Sequence, residues 1–179
     1  MTDRFPILEF DPDPNGIIDP QQTIMPLDNM PQNVVFCFFA EVIASVCAHA
    51  EIITHRRSEI GPVPVYGLNT EHGRVAVMHP GVGAPLAGGF LDEVIALGGR
   101  RFVACGGAGV LDRDIPPGHL VVPTAAIRDE GTSYHYLQPS REVEPSNVAV
   151  DAIKATLEAH SIPHHTGKTW TTDGIFRET

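Results

Sequence analysis

The stretch VAVMHPGVGAP, residues 75–85, decides the fold class of this 179-residue chain. Its first part, residues 75–79, is a short β-branched and apolar run that is typical of a strand. After Pro80 the glycines allow a tight turn, and apolar positions then recur at helical spacing from Leu86 to Leu97, where Gly98-Gly99 ends the helix. A strand, a glycine turn and a helix in this order predict an α/β fold.

Strands and helices alternate on both sides of this segment. The sequence predicts a helix over 34–49, a hairpin of strands 63–68 and 75–79, strands over 101–105, 120–123 and 125–128, and a helix over 147–160. A second glycine turn, residues 106–109, follows strand 101–105. We therefore expect a single α/β domain over 32–179, with a central mixed, mostly parallel twisted sheet flanked by helices, after an N-terminal arm over 1–31.

The composition argues against several classes of function. The chain has 12 Lys and Arg against 22 Asp and Glu, a formal net charge of −10, and this acidity disfavours nucleic acid as a partner. No stretch reaches the ~20 apolar residues of a membrane span, and residues 1–19 lack the pattern of a secretory signal. We therefore expect a cytoplasmic protein without a membrane partner.

The cysteines and histidines do not have the spacing of a metal site. The three cysteines, Cys37, Cys47 and Cys105, are odd in number and lie in apolar surroundings, so they predict buried free thiols. His164-His165 follows Pro163 and predicts a turn. No metal is expected.

Three segments carry residues suited to binding a small molecule. The two glycine turns can present backbone N–H groups to an anion, although the same glycines can equally serve only tight turns and close helix packing. Residues 128–136 can bind a ligand or form an ordinary hydrogen-bonded surface loop. Residues 169–179 can stack a ring and hydrogen-bond its edge, or simply end a strand with a solvated charge pair.

Five motifs occur in an order and at a spacing that resemble the purine nucleoside and uridine phosphorylase family. They are GVGAP at 81–85, GGAGVL at 106–111, GHLVVP at 118–123, AIRDEGTSYHY at 126–136 and TTDGIFRET at 171–179. The resemblance covers about residues 63–179. It implies an oligomeric α/β enzyme that breaks the N-glycosidic bond of a nucleoside, with inorganic phosphate as co-substrate and no cofactor. The products would be free base and ribose 1-phosphate.

The resemblance assigns residues to two parts of the site, and no catalytic residue. The implied phosphate-binding residues are Gly83, Gly106, Gly107 and Ala108, with Arg128 as a further cation. The implied nucleoside-binding residues are Asp173, Phe176, Arg177 and Glu178.

The chain departs from the family pattern where phosphate is bound. A phosphate-binding arginine of the family falls on Ala104, a threonine falls on Gly107, and the arginine lent by a neighbouring subunit falls on Gly67. The Gly-Asp-Pro phosphate loop of the family is not recognisable. Each lost charged donor removes a hydrogen bond worth ~1.5–3 kcal/mol. We expect Arg100, Arg101 or Arg128 to substitute.

The resemblance also implies a continuation of the chain. Family members extend past the position of Thr179 into an acidic Glu-Met-Glu segment that holds the ribose hydroxyls. We therefore expect the sequence to be incomplete at its C-terminus, and residues 1–179 by themselves to be a weak catalyst or none.

Three functions stay open on the sequence alone. The first is a nucleoside phosphorylase that acts on purine or pyrimidine nucleosides in salvage, assembled from identical subunits. The second is a nucleosidase, in which water replaces phosphate, and the residue Ala104 favours it. The third is a catalytically silent nucleoside-binding module, which the missing C-terminal acids favour.

Overall fold

The computed structural model describes residues 5–177, which fall into two compact units. One unit comprises residues 13–108, and the other comprises residues 5–12 together with residues 109–177. Each unit contains its own sheet. Within the described residues no helix is both long and apolar enough to cross a membrane.

The unit of residues 13–108 is built on a five-stranded sheet in the order β2-β3-β4-β1-β5. Its elements are α1 (Pro20–Thr23), β1 (Asn33–Cys37), α2 (Ala40–Val46), β2 (Glu51–Ser58), β3 (Gly61–Thr70), β4 (Gly73–Met78), α3 (Ala84–Leu97) and β5 (Arg101–Cys105). Strand β1 pairs in parallel with both β4 and β5, whereas β3 pairs antiparallel with β2 and β4. The parallel strands β4, β1 and β5 therefore end at one edge of the sheet.

The core of this unit lies between the sheet and helix α3. Val34 on β1, Met78 on β4 and Val94 on α3 are each at most 1 % exposed, and Phe90 adds a buried ring. Burial of one such side chain contributes about 1.5–3 kcal/mol. The segment 24–30, predicted as part of an extended arm, packs against the same core. The Leu27 N–H donates to Leu97 O at 3.0 Å and Met30 lies beside Gly98, so this segment supports the C-terminal end of α3.

The other unit contains a three-stranded sheet in the order β7-β6-β8. Its elements are a 3-10 helix at Pro6–Leu8, β6 (Leu120–Asp129), a 3-10 helix at Ser133–His135, β7 (Glu142–Val143), α4 (Asn147–Ala159) and β8 (His164–Thr172). Strand β6 pairs in parallel with β8 and antiparallel with β7, and its register with β8 shifts between Pro123 and Ala125. Both strands of the parallel pair are nine or ten residues long, which makes them the frame of this unit.

Several sequence-based predictions are confirmed. The hairpin of β3 and β4, the helix after the first glycine turn, strand β5 and helix α4 all form close to their predicted bounds. The two predicted strands 120–123 and 125–128 are one strand, because the shift at Pro123 is accommodated as an irregularity of the pairing. The α/β class is correct.

Other predictions are wrong. Residues 34–49 do not form one helix: Val34, Val35 and Phe36 lie in strand β1, and the helix begins only at Ala40. The β-branched start of this run is stabilised by pairing on both sides with distant strands, which outweighs its helical spacing. His164-His165 opens strand β8 instead of forming a turn. Strand β2 has no counterpart among the predicted elements.

The sheet arrangement also differs from the prediction of a single, mostly parallel sheet. The strands of the described residues form two sheets, and parallel and antiparallel pairings are equally frequent in them. The parallel pairings are β1–β4, β1–β5 and β6–β8, and the antiparallel pairings are β2–β3, β3–β4 and β6–β7. The division of the chain into an arm over 1–31 and a domain over 32–179 stays a prediction.

Candidate active site

The carboxyl ends of β4, β1 and β5 bring the two glycine turns to one edge of the five-stranded sheet. Residues 81–83 follow β4, and residues 106–108 follow β5. Neighbouring strands lie about 4.8 Å apart, so the ends of β4 and β5 are about 10 Å apart with the end of β1 between them. The predicted phosphate residues Gly83, Gly106, Gly107 and Ala108 are thus gathered at this edge, where ligands of α/β proteins usually bind.

The first turn requires glycine at two positions. Gly81 has φ +80° and Gly83 has φ +91°, a backbone region that residues with a Cβ rarely adopt. A Cβ atom at Gly81 would also overlap the side chain of Leu86, whereas a Cβ at Gly83 would meet only Pro85 Cδ, at an ordinary contact distance of 3.8 Å. Gly83 is the N-cap of α3, so the free N–H groups of the first helical turn start at this residue.

The second turn contains backbone N–H groups without an acceptor in the described chain. The N–H groups of Gly107 and Ala108 donate to no acceptor within residues 5–177, and both residues are exposed. Exposed, unpaired N–H groups after a strand can bind an oxygen of an anion. Ala104, which lies near the end of β5 just before the turn, is exposed and offers no side-chain donor.

Two aromatic side chains lie between the turns. Phe38 and Phe39 follow β1 directly, and Phe38 is so close to Gly106 that an added Cβ there would stand 3.1 Å from its ring. The Phe39 ring lies 3.6 Å from the corresponding position at Gly107. The middle of this edge is therefore apolar. Sequence reasoning misses these residues, because the spacing of the run 34–49 places them in the interior of a helix.

His79 completes the edge on the β4 side. Its Nδ1 atom accepts the backbone N–H of Gly81 at 3.0 Å, and its ring packs against Phe38 with centroids 6.0 Å apart. Sequence reasoning does not single out His79, although a histidine at the end of a strand and two residues before a glycine turn is a usable signal.

The opposite end of β4 contains a cavity of about 430 Å³. It is lined by polar and small residues that include Glu51, Gly67, Asn69 and Arg74. Arg74 occupies the space beside Gly67 and pairs with Glu51 at 2.6 Å, while its buried Nε has no hydrogen-bond partner. The cavity lies at the amino end of β4, away from the glycine turns.

The cysteines follow the prediction only in part. Cys37 and Cys47 are buried free thiols, whereas Cys105 is exposed because β5 is an edge strand. Burial, together with the neighbouring Cys37, raises the pKa of the Cys47 thiol, so this group stays protonated and is a poor nucleophile. Within residues 5–177 no three His, Cys, Asp or Glu side chains are placed to hold a metal ion.

In the other unit Arg128 is 5 % exposed and organises the loop that follows β6. Its Nε donates to the Ser133 hydroxyl at 2.9 Å, its Nη1 to Gln138 O and Ser140 Oγ, and its Nη2 to Leu137 O. Its guanidinium also lies 4.3 Å from the centre of the Tyr134 ring. These contacts fill most of its donors, so the assignment of Arg128 to phosphate stays a prediction that its geometry does not support.

Glu130 faces the same loop and is 8 % exposed. Burial alone would raise the pKa of its carboxyl group. The Ser133 hydroxyl, the Ser133 and Thr132 N–H groups and the charge of Arg128 outweigh burial, and together they lower that pKa. Arg128 and Glu130 therefore form a buried charged centre that fixes residues 130–140.

The predicted nucleoside residues are spread along the end of the chain. Asp173 Oδ2 accepts the Gly131 N–H at 3.3 Å, which ties the segment after β8 to the Glu130 loop. Phe176 is 95 % exposed, and the Arg177 N–H closes a turn to Gly174 O at 2.8 Å. Glu178 lies outside the described residues. Asp173 is thus anchored, while Phe176 presents a free ring.

A family model described as the phosphorylase superfamily matches residues 34–179 of this sequence. The chain belongs to the phosphorylase superfamily. The match contains nearly the whole five-stranded sheet and both glycine turns, and it also contains the three-stranded sheet.

Known members of the superfamily are similar to this chain in sequence. A uridine phosphorylase of Treponema pallidum is 29% identical over 137 residues, which are 76% of this chain and 52% of that protein. A guanosine phosphorylase of Halorubrum lacusprofundi is 25% identical over 136 residues, which are 76% of this chain and 55% of that protein. The chain spans about half the length of these curated relatives.

Solved superfamily structures share the fold. A uridine phosphorylase of Vibrio fischeri matches with a TM-score of 0.75 at 20% identity, over 86% of this chain and 64% of that one. A purine nucleoside phosphorylase of Toxoplasma gondii in complex with immucillin-H matches with a TM-score of 0.73 at 16% identity, over 84% of this chain and 60% of that one. The fold of this chain is thus similar to the fold of these two solved structures.

Proposed function

We propose that this protein is a nucleoside phosphorylase. It cleaves the N-glycosidic bond of a purine or pyrimidine nucleoside, with inorganic phosphate as co-substrate and without a cofactor. The observation that carries the proposal is the pair of glycine turns, 81–83 and 106–108, at the carboxyl end of a superfamily sheet, where the N–H groups of Gly107 and Ala108 have no acceptor in the described chain.

The chemistry requires an anion held beside the sugar. As the bond to the base breaks, positive charge develops on the ribose, and a phosphate oxygen attacks its anomeric carbon. Fixed N–H dipoles hold phosphate without reorganising during the reaction, and the N-terminus of α3 adds a favourable field. We assign Gly83, Gly106, Gly107 and Ala108 to this phosphate site.

The base requires contacts of another kind. Phe176 offers an exposed ring for stacking, and Asp173, Arg177 and Glu178 offer polar groups for the edge of a base or for the ribose. We assign these four residues to the nucleoside. Two of the named relatives, a uridine and a guanosine phosphorylase, support a pyrimidine or purine nucleoside as the substrate class.

The cellular setting forms part of the same proposal. We place the protein in the cytoplasm, in nucleoside salvage, as an assembly of identical subunits, and each subunit as an arm over 1–31 followed by a domain over 32–179. The net charge of −10 supports a small-molecule substrate over a nucleic acid.

The test is base release from a panel of purine and pyrimidine nucleosides, with and without phosphate, by the protein as its gene encodes it. The proposal requires release that depends on phosphate and yields ribose 1-phosphate in equal amount to the base. Release that proceeds equally well without phosphate contradicts it and indicates hydrolysis. Nucleoside binding without release also contradicts it and indicates a silent binding module.

A further inference from the structure

The proposed phosphate edge is poor in side-chain donors. Within residues 79–86 and 104–108 there is no lysine or arginine, and the residues that follow β1 there are Phe38 and Phe39. Backbone N–H groups alone would have to bind an anion beside two aromatic rings. His79 is the one side chain in these ranges with a strong N–H donor.

The hydrogen bond to Gly81 fixes the proton of the neutral imidazole. Because Nδ1 accepts the Gly81 N–H at 3.0 Å, Nδ1 carries no proton, and the ring N–H must be on Nε2. The donor role of Nε2 is therefore set by the backbone of the first glycine turn. The same bond couples the orientation of the ring to the geometry of that turn.

The Nε2 atom has no hydrogen-bond partner within the described part of the chain. His79 is half-buried, and its Nε2 is not among the fully buried side-chain atoms that lack a partner. Phe38 packs against the ring at 67° and also contacts Gly106. His79 is thus supported from the side of β1, while its Nε2–H is left free.

We propose that His79, through its Nε2–H, is the side-chain donor that binds an oxygen of the phosphate co-substrate in this protein. The assignment rests on the proposed phosphorylase function. It supplies one directed donor at an edge where Ala104 and the two phenylalanines supply none. His79 has a second task, since its Nδ1 orders the turn that presents the neighbouring N–H groups.

Two variants separate the two tasks. The side chain of Asn in His79→Asn has an acceptor near the position of Nδ1 but no donor at the position of Nε2. The side chain of Gln in His79→Gln reaches the position of Nε2 with an N–H donor but offers no acceptor for Gly81. Both variants are compared with the wild type by titration calorimetry with inorganic phosphate alone, and by the melting temperature.

We expect His79→Asn to melt near the wild-type temperature and to weaken phosphate binding about 10- to 100-fold, the effect of losing one donor to a charged acceptor. We expect His79→Gln to keep phosphate affinity within a few-fold and to melt lower. If His79→Asn binds phosphate as the wild type does, or if the wild type itself binds none, the assignment is overturned. Weaker binding in His79→Gln alone also overturns it, because only the positioning of the turn would then matter.

Base release distinguishes this inference from the function on which it rests. If base release depends on phosphate and His79→Asn has an unchanged KM for phosphate, the phosphorylase function is supported and the proposed role of His79 is rejected. Absence of release from every nucleoside, with phosphate binding that His79→Asn weakens, rejects the phosphorylase and keeps the phosphate contact. The KM for nucleoside is the internal control and should not change.

Discussion

The Phe38 ring lies over Gly106, across the paired ends of β1 and β5, with its Cδ2 3.1 Å from the place where a Cβ would stand. Glycine at 106 is thus favoured by the ring beside it and not by its own backbone angle, since its φ is not in the left-handed region. The aromatic residues after β1 and the glycines after β5 are complementary. The contact between Phe38 and Gly106 connects the segment after β1 with the second glycine turn in the candidate active site.

Gly106→Ala should destabilise the protein by about 1 kcal/mol, because the added methyl group overpacks against Phe38. The free energy of unfolding in urea measures the effect. In a Phe38→Ala background the same substitution should cost almost nothing, and an equal cost in both backgrounds would disprove the contact. Gly109→Ala, which meets nothing within 4 Å, is the control.

Substitutions of the first glycine turn should separate backbone strain from steric overlap. Gly83→Ala forces a left-handed φ on alanine without a steric overlap and should cost roughly 1–2 kcal/mol. Gly81→Ala carries the same strain and also overlaps Leu86, so it should cost more. Thermal unfolding of both variants checks the order. A Gly83→Ala variant that is the less stable of the two would contradict it.

The lowered pKa of Glu130 predicts a specific dependence of stability on pH. A group whose pKa is lower in the folded than in the unfolded state stabilises the fold above its ordinary pKa, about 4.3–4.5, and loses this contribution as the pH falls through the lowered value. The melting temperature of Glu130→Gln should therefore be lower at pH 7 and should fall less steeply below pH ~5 than that of the wild type. Glu144→Gln, on an exposed residue, serves as the control and should retain the wild-type slope.

Arg128→Lys should be strongly destabilising although it keeps the charge. Lysine cannot reproduce the fork that donates to Ser133, Ser140 and the carbonyls of residues 137 and 138. We expect a loss of about 1–3 kcal/mol in the free energy of unfolding, the cost of leaving buried hydrogen-bond acceptors without their donor. Arg177→Lys, at an exposed site, should change it by less than about 0.5 kcal/mol.

Ala104→Arg should strengthen phosphate binding. Ala104 is exposed near the end of β5, so there is room for a guanidinium beside the free N–H groups of Gly107 and Ala108. One charge-assisted hydrogen bond is worth ~1.5–3 kcal/mol, or roughly 10- to 100-fold in the dissociation constant. Calorimetric titration with phosphate measures the gain. Ala104→Gln provides the uncharged control, and an equal gain in both variants would argue against a charge effect.

The local features of the fold could be predicted from the sequence. The turn at Gly81–Gly83, the helix that it starts and the hairpin of β3 and β4 depend on residues close in the chain, so their spacing and glycines are sufficient. The same holds for β5 with its glycine turn. The two glycine turns are also among the motifs by which the sequence resembles the superfamily.

The run 34–49 could not be predicted in the same way. Its apolar residues fit a helix as well as a strand, and only pairing with β4 and β5, some 40 and 70 residues further along the chain, decides for a strand over Asn33–Cys37. The position of Phe38 and Phe39 between the glycine turns depends on that choice. For this reason the aromatic character of the site cannot be recognised in the sequence.

The sequence by itself determined the α/β class, the two glycine turns and the superfamily, because these depend on short-range patterns. Only the tertiary structure decided that Arg128 is enclosed by the acceptors of its own loop, and that His79 holds a turn with one nitrogen and leaves the other free. The physical reason is that a side chain's chemistry depends on which of its donors are already used. Which donors are used depends on contacts with residues that the local sequence pattern does not identify.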